Sequence, residues 1–204
     1  MAIKLTKNEL KTQKDLLRQY ERYLPTLQLK KQQLQMVIMH VEADLAKKEA
    51  QREKMMAGID EWAAVFAENP RFPEDKRLHQ LVKPDVVVCG QDNIAGVMIP
   101  VFRELTFKDA DYEVEDYPLW VDAAVARLKE LAQVDAEAQV LRQQAELLNK
   151  ELRSTSQRVN LFEKVKIPET RENIRVIGIY LGNEQTTAVV RGKIAKRKLQ
   201  EASR

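Results

Sequence analysis

Written as heptads, the first third of the chain keeps one frame from Ile3 to Phe66. Positions a are Ile3, Leu10, Leu17, Leu24, Lys31, Ile38, Leu45, Arg52, Ile59 and Phe66, and positions d are Thr6, Gln13, Tyr20, Leu27, Leu34, Val41, Lys48, Met55 and Trp62. Fourteen of these 19 positions are apolar and the frame never slips. A strict seven-residue period demands a partner helix: its stripe is too narrow for a globular helix face and too long to leave in water. Lys31, Lys48 and Arg52 interrupt the seam, and polar residues at such positions can fix register.

A second stripe runs through Ala138, Leu141, Ala145, Leu148, Leu152, Thr155, Val159 and Phe162, again in steps of three and four. It follows "VEDYPLW", where Pro118 suits a first helical turn and Asp116 a cap. At about 1.5 Å per residue, a helix from Leu5 to Phe66 spans on the order of 90 Å, and one from Leu119 to the C-terminal region more than about 110 Å. The economical closure is antiparallel and intramolecular, because a parallel dimer would leave two different stripes each seeking an identical partner. The predicted fold is therefore mainly α: a long antiparallel two-helix coiled coil of N- and C-terminal helices, with a small β-hairpin insert at the turn end. Its domains are an N-terminal coiled-coil helix over 1–67, an irregular segment with the hairpin over 68–117, and a C-terminal coiled-coil helix over 118–204, bent near Pro168.

The middle segment breaks the helical period. "VVVCG" (86–90) and "GVMIPVF" (96–102) are β-rich runs separated by "QDNIA", and Pro100 marks an edge strand because it has no amide to give a ladder. Two strands alone are marginal in water, so this tip is expected to lie against the helices or another protein. Gly178 and Gly182, beside Ile174, Val176, Ile177 and Ile179, weaken the C-terminal helix and leave a strand as the local alternative.

Composition sharpens this picture. Charged residues make up 32% of the 204 and only six are Gly, a profile of long helices rather than of a compact α/β enzyme. Lys and Arg number 34 against 31 acids, a net +3, which argues against a general nucleic-acid binder. The single Cys89 excludes an internal disulfide and fits a reducing compartment. "MAIKLTKNEL" lacks the apolar core of a signal peptide and no membrane span is expected, which places the protein in the cytoplasm.

No constellation makes an active site. There is no phosphate loop, no dinucleotide-binding glycine motif, and no nucleophile, base and acid grouping. His40 and His79 read as solvated surface residues and Cys89 as a small apolar strand residue. "KDADYEVEDY" (108–117) lacks the spacing of a calcium loop and reads as an acidic loop before a helix. "RGKIAKRK" (191–198) has five cations in eight residues, complementing a helix C-terminus or contacting an acidic partner. Catalytic, cofactor-binding and metal-ligating residues are all expected to be absent.

"LPTLQLKKQQLQ" (24–35), "DNIAGVMIP" (92–100) and "RVNLFEKVKIPETRENI" (158–174) together resemble the D subunit of the bacterial V-type (A/V-type) rotary ATPases, in the right order over nearly the whole chain. The matching positions are Asn93, Ile94, Ala95, Gly96, Val97 and Pro100 in the hairpin, and Val159, Asn160, Glu163, Ile167 and Pro168 in the C-terminal motif. The resemblance implies a non-catalytic central rotor shaft. The end carrying both termini would enter the hexamer of catalytic A and B subunits, the F subunit would join lower down, and the base would seat in the subunit that caps the membrane rotor ring. The complex would couple ATP hydrolysis or synthesis to proton or sodium transport, peripheral to the inner membrane on its cytoplasmic side. Leu10, Leu17, Leu24, Leu27, Leu34, Ile38, Val41 and Leu45 on one helix, with Leu141, Leu148, Leu152, Val159 and Phe162 on the other, are the expected seam. Lys4, Lys7, Arg171, Arg175, Arg191, Lys193 and Lys196 are the candidate contacts with the hexamer. Pro25 and Pro168 are expected at similar heights, bending the shaft so that its rotation opens and closes successive catalytic subunits. A coiled-coil stalk or chaperone of a type III secretion ATPase shares the hairpin shape but not the NIAGV insert.

Overall fold

A computed structural model of the chain describes residues 3–66, 81–108 and 120–202, with the backbone alone for 60–66. The expected cap at Asp116 and Pro118, nearly all of the acidic run, His79, and the side chains of Trp62 and Phe66 lie outside the described residues. The elements are helix α1 (Lys7–Phe66), strands β1 (Pro84–Ile94) and β2 (Val97–Phe107), helix α2 (Val121–Leu161), a π-helical turn (Phe162–Lys166) and helix α3 (Ile167–Ala202). The fold is mainly helical, with N- and C-terminal helices packed together and one small antiparallel hairpin. The chain divides into two compact units: a terminal unit of Met1–Lys31 with Ser154–Arg204, and a middle unit of Gln32–Arg153.

In the terminal unit, α1 begins with a cap. The backbone N–H of Glu9 donates to Thr6 Oγ1 at 3.2 Å and that of Leu10 to the Thr6 carbonyl at 3.0 Å, so Thr6 satisfies amide hydrogens that the first turn cannot. Antiparallel pairing follows from three contacts between α1 and the returning segment. The Tyr20 and Phe162 rings stack with centroids 5.2 Å apart, Arg171 donates to Glu21 at 2.8 Å, and Asn173 Nδ2 donates to Gln13 Oε1 at 3.3 Å. Leu10, Leu17, Leu24 and Leu27 are half-buried, Thr155 and Val159 fully buried.

Beyond Phe162 the buried stripe changes phase. An uninterrupted heptad would carry Lys166, Glu169, Asn173, Val176 and Tyr180 into the seam. Instead Ile167, Thr170 and Ile177 are buried and Ile174 and Leu181 half-buried, while Glu169, Val176 and Tyr180 are exposed. One residue has been skipped, and the π turn is where. A π turn closes its hydrogen bond over five residues instead of four, and here the Ile167 N–H donates to the Phe162 carbonyl. The motif "VNLFEKVKI" carries the skip in its spacing: Val159 and Ile167, both in the seam, stand eight residues apart where the frame requires seven. The alternative strand over 174–182 does not form. Gly178, Gly182 and Gly192 lie inside α3, which continues to Ala202.

In the middle unit, Leu34, Ile38 and Val41 of α1 meet Leu148 of α2, with Leu141, Ala145 and Leu152 packed around them. Arg142 donates to Glu49 at 2.7 Å and Arg52 to Asp135 at 2.5 Å, and Lys48 pairs with Glu137. The polar seam positions Lys48 and Arg52 thus reach carboxylates on the facing helix. A second cluster joins Leu81, Val121 and Val125, with Val82 and Trp120 against it.

The hairpin belongs to this unit and lies against its helices. Both strands are longer than the β-rich runs alone predict, and "QDNI" pairs as part of β1, with Gln91 opposite Pro100 and Ile94 opposite Val97. The turn is Ala95–Gly96, with φ of 52° and 80°. Positive φ at both central residues matches the twist of antiparallel strands, and Gly adopts it without strain.

Candidate functional site: two motifs and a basic surface

The hairpin motif is structural in its chemistry. Asn93 Oδ1 accepts from the Gly96 N–H at 3.0 Å, holding the turn, while its own N–H donates to Asp92 Oδ1 at 2.7 Å. Ile94, Ala95 and Val97 pack on the cluster of Leu34, Ile38, Val41 and Leu148, joined by buried Ile99. The carbonyl of Pro100 accepts from Gln144 Nε2 at 2.5 Å, so a strand residue without an amide hydrogen still ties the hairpin to α2.

The C-terminal motif is divided between seam and surface. Val159 and Ile167 are buried; Asn160, Glu163 and Pro168 are exposed. Pro168 is the second residue of α3, directly behind the π turn. Thr170 Oγ1 donates to the Lys166 carbonyl at 2.6 Å, giving that turn a side-chain bond.

The candidate contact residues separate into two kinds. Arg171 is engaged with Glu21, and Arg175 grips Glu172 through two bonds of 2.8 and 2.6 Å. That double bond holds the Glu172 carboxyl below the usual carboxylate range and raises Arg175. Lys4, Lys7, Arg191, Lys193 and Lys196 are exposed. From Gly182 to Ala202 every residue of α3 is exposed, including Val189, Val190, Ile194 and Leu199, which stand among the five cations of 191–198.

Two features went unread in the sequence. Lys7, Lys11, Lys14, Arg18 and Arg22, at helical steps of three and four, line one exposed face of α1, with Lys4 just ahead of it. Charge is also segregated between the units. Residues 1–31 and 154–204 hold 19 Lys and Arg against 8 Asp and Glu, a net of +11, leaving 15 against 23, a net of −8, for residues 32–153. A chain that is nearly neutral as a whole therefore offers a strongly basic terminal unit. The signal was available from counting each region separately.

Cys89 and His40 are exposed. Among the described residues no group of three or more His, Cys, Asp or Glu side chains could hold a metal, and no helix is long and apolar enough to cross a membrane.

The family model for the ATP synthase D subunit matches residues 9–197. The V-type ATP synthase D subunit of Borreliella burgdorferi is 47% identical over 202 residues, covering 99% of this chain and 97% of that protein. The proteins of the same name from Chlamydia felis and Chlamydia muridarum are 35% and 34% identical over 199 residues, each covering 98% of this chain, and 94% and 97% of their own lengths. The match takes in both motifs, the hairpin and the whole seam, and on that span the chain belongs to the ATP synthase D-subunit family.

Proposed function

We propose that the chain is the central-stalk rotor component of a V-type ATP synthase, transmitting torque between the catalytic A/B hexamer and the membrane ion-translocating ring. It would couple ATP hydrolysis or synthesis to proton or sodium transport, without a catalytic group or cofactor of its own, on the cytoplasmic side of the membrane. Its partners in this reading are the A and B subunits, the F subunit and the subunit capping the ring. The proposal includes the division into an N-terminal shaft helix (1–67), a tip segment (68–117) and a returning helix (118–204) bent near Pro168.

The observation that carries the reading is the end-to-end similarity to V-type D subunits. The basic terminal unit supports it: a positively charged shaft end would be drawn over long range toward an acidic partner surface, and exposed Val190, Ile194 and Leu199 supply apolar contact once water is displaced. The experiment is co-expression with A and B subunits from the same source, followed by size exclusion and ATPase assay. One copy of the chain per hexamer, with altered turnover, is expected; a well-formed hexamer that excludes the chain refutes the reading. Replacing Lys7, Lys11, Lys14, Arg191, Lys193 and Lys196 together by Ala is expected to weaken entry and lower coupled turnover, most visibly at low salt, where the charges are least screened.

A further inference from the structure

At one height of the terminal unit both helices lose regular backbone bonding. On the returning segment the π turn spans Phe162–Lys166 and none of its five residues is buried. Pro168 follows it without an amide hydrogen, so the Lys164 carbonyl has no α-helical donor. On α1, Pro25 does the same to the carbonyl of Glu21. Counting along antiparallel helices from the Tyr20–Phe162 stack and the Glu21–Arg171 pair brings Pro25 level with residues 157–167, the stretch that contains the π turn. The seam on either side is closed by buried Thr155 and Val159, and by Ile167, Thr170 and Ile177.

The skipped residue is also pinned where it is. Moving it toward the C-terminus would drive Lys166 and Glu169 into the seam and turn Ile167 and Thr170 to water. Moving it toward the N-terminus would bury Asn160 and Glu163 in place of Val159 and Phe162. Each alternative costs apolar burial and adds desolvation of polar groups. Asn160 and Glu163 thus hold the irregularity in place by being polar on the side to which it would otherwise slip.

Helices bend and twist where backbone bonds are missing, and a two-helix seam yields where both strands of its ladder are interrupted together. We propose that Phe162–Lys166, faced by Pro25, is a preformed joint at which α3 twists and bends against α1 while the seams on either side stay shut. The joint stands on the register slip and the two prolines; its mechanical use rests on the rotor reading.

Amide hydrogen exchange on the full chain tests the joint directly. Residues 163–167 are expected to exchange about ten-fold or more faster than 155–159 and 173–177. Deleting Val165 together with Pro168→Ala restores a seven-residue spacing, and protection across 160–172 is then expected to be even. Should that variant fail to fold, Pro25→Ala with Pro168→Ala restores both amide donors without changing register and is expected to slow exchange at 163–167 about ten-fold. Equal protection of the turn and its flanks in the unaltered chain overturns the joint. In the assembled motor, the angular spread of a bead on the stalled shaft is expected to narrow in the deletion variant, and an unchanged spread overturns the mechanical use. Failure of the unaltered chain to enter the hexamer removes the rotor reading while leaving the exchange result to stand by itself.

Discussion

Replacing Ile177 by Ala, with Val176→Ala as its neighbour control, tests the register slip through energetics. Ile177 has 0% of its surface exposed and Val176 41%. Ile→Ala removes three carbons from a closed site, worth about 2.4 kcal/mol at about 0.8 kcal/mol per buried methylene. A site between two helices partly collapses, which keeps the cost near the low end of the roughly 2–5 kcal/mol range, and Ala's better helix propensity returns a few tenths. The net expectation is about 2 kcal/mol for Ile177→Ala, whereas Val176→Ala loses little packing and gains about 0.5 kcal/mol of propensity. With a urea dependence of about 2 kcal/mol per molar, Ile177→Ala lowers the unfolding midpoint by about 1 M and Val176→Ala leaves it within about 0.3 M. Both tryptophans, Trp62 and Trp120, lie in residues 32–153, so fluorescence follows the middle unit. Circular dichroism follows both units, and the loss is expected in that signal first. Equal losses from the two substitutions, or a larger one at Val176, would mean that the seam keeps the uninterrupted frame, and the skipped residue would fall with it.

Gly178→Ala and Gly182→Ala are each expected to stabilise α3 by up to about 1 kcal/mol, since a Cβ at either position meets nothing within 4 Å and Ala loses less backbone entropy; the thermal midpoint of the double variant checks this. Gly96→Val is expected to cost at least about 1–2 kcal/mol of hairpin stability because φ is 80° there, read as faster proteolytic cleavage within residues 84–107 while helical dichroism is retained. For pH, the Arg175 hydrogen bond depresses the folded-state Glu172 carboxyl and the Lys47 bond that of Asp44. The stabilisation is therefore present above the ordinary carboxylate range and is lost as pH falls through the depressed folded values. Carboxyl NMR titration is expected to show both midpoints low, with Arg175→Gln moving that of Glu172 upward and leaving Asp44 in place; an unmoved Glu172 would refute the assignment.

The legible and illegible parts of this chain divide along the range of the interactions involved. The seam of α1 was readable because each a and d residue reports on the same neighbour: Leu34, Ile38 and Val41 are buried where the frame puts them, and the weaker positions Lys48 and Arg52 reach Glu137 and Asp135. The hairpin was readable in kind but not in extent. "QDNI" has turn composition, yet cross-strand pairing with Val97–Pro100 extends β1 through it, and the turn settles on Ala95–Gly96, where Asn93 Oδ1 can hold the Gly96 amide. In α3, packing and helical continuity override the β-branched run around Ile177, since Ile174, Ile177 and Leu181 recur at helical spacing and would fall on mixed faces of a strand.

The least legible feature has the most local cause. Beyond Phe162 the stripe continues better one residue later, as Ile167, Thr170, Ile174, Ile177 and Leu181, than on the heptad frame, as Lys166, Glu169, Asn173, Val176 and Tyr180. Pro168 is the conspicuous residue of this stretch, but the phase change lies in the spacing just before it. The two are connected: a regular α-helix would press the Pro168 ring against the Lys164 carbonyl, and the wider π turn immediately upstream alters the geometry of that contact. A motif that reads VN-x-x-E-x-x-x-IP thus specifies two seam residues at a spacing of eight, two polar residues that hold the skip in place, and the proline that ends it. Seam packing by itself accounts for why those residue types stand at those five positions.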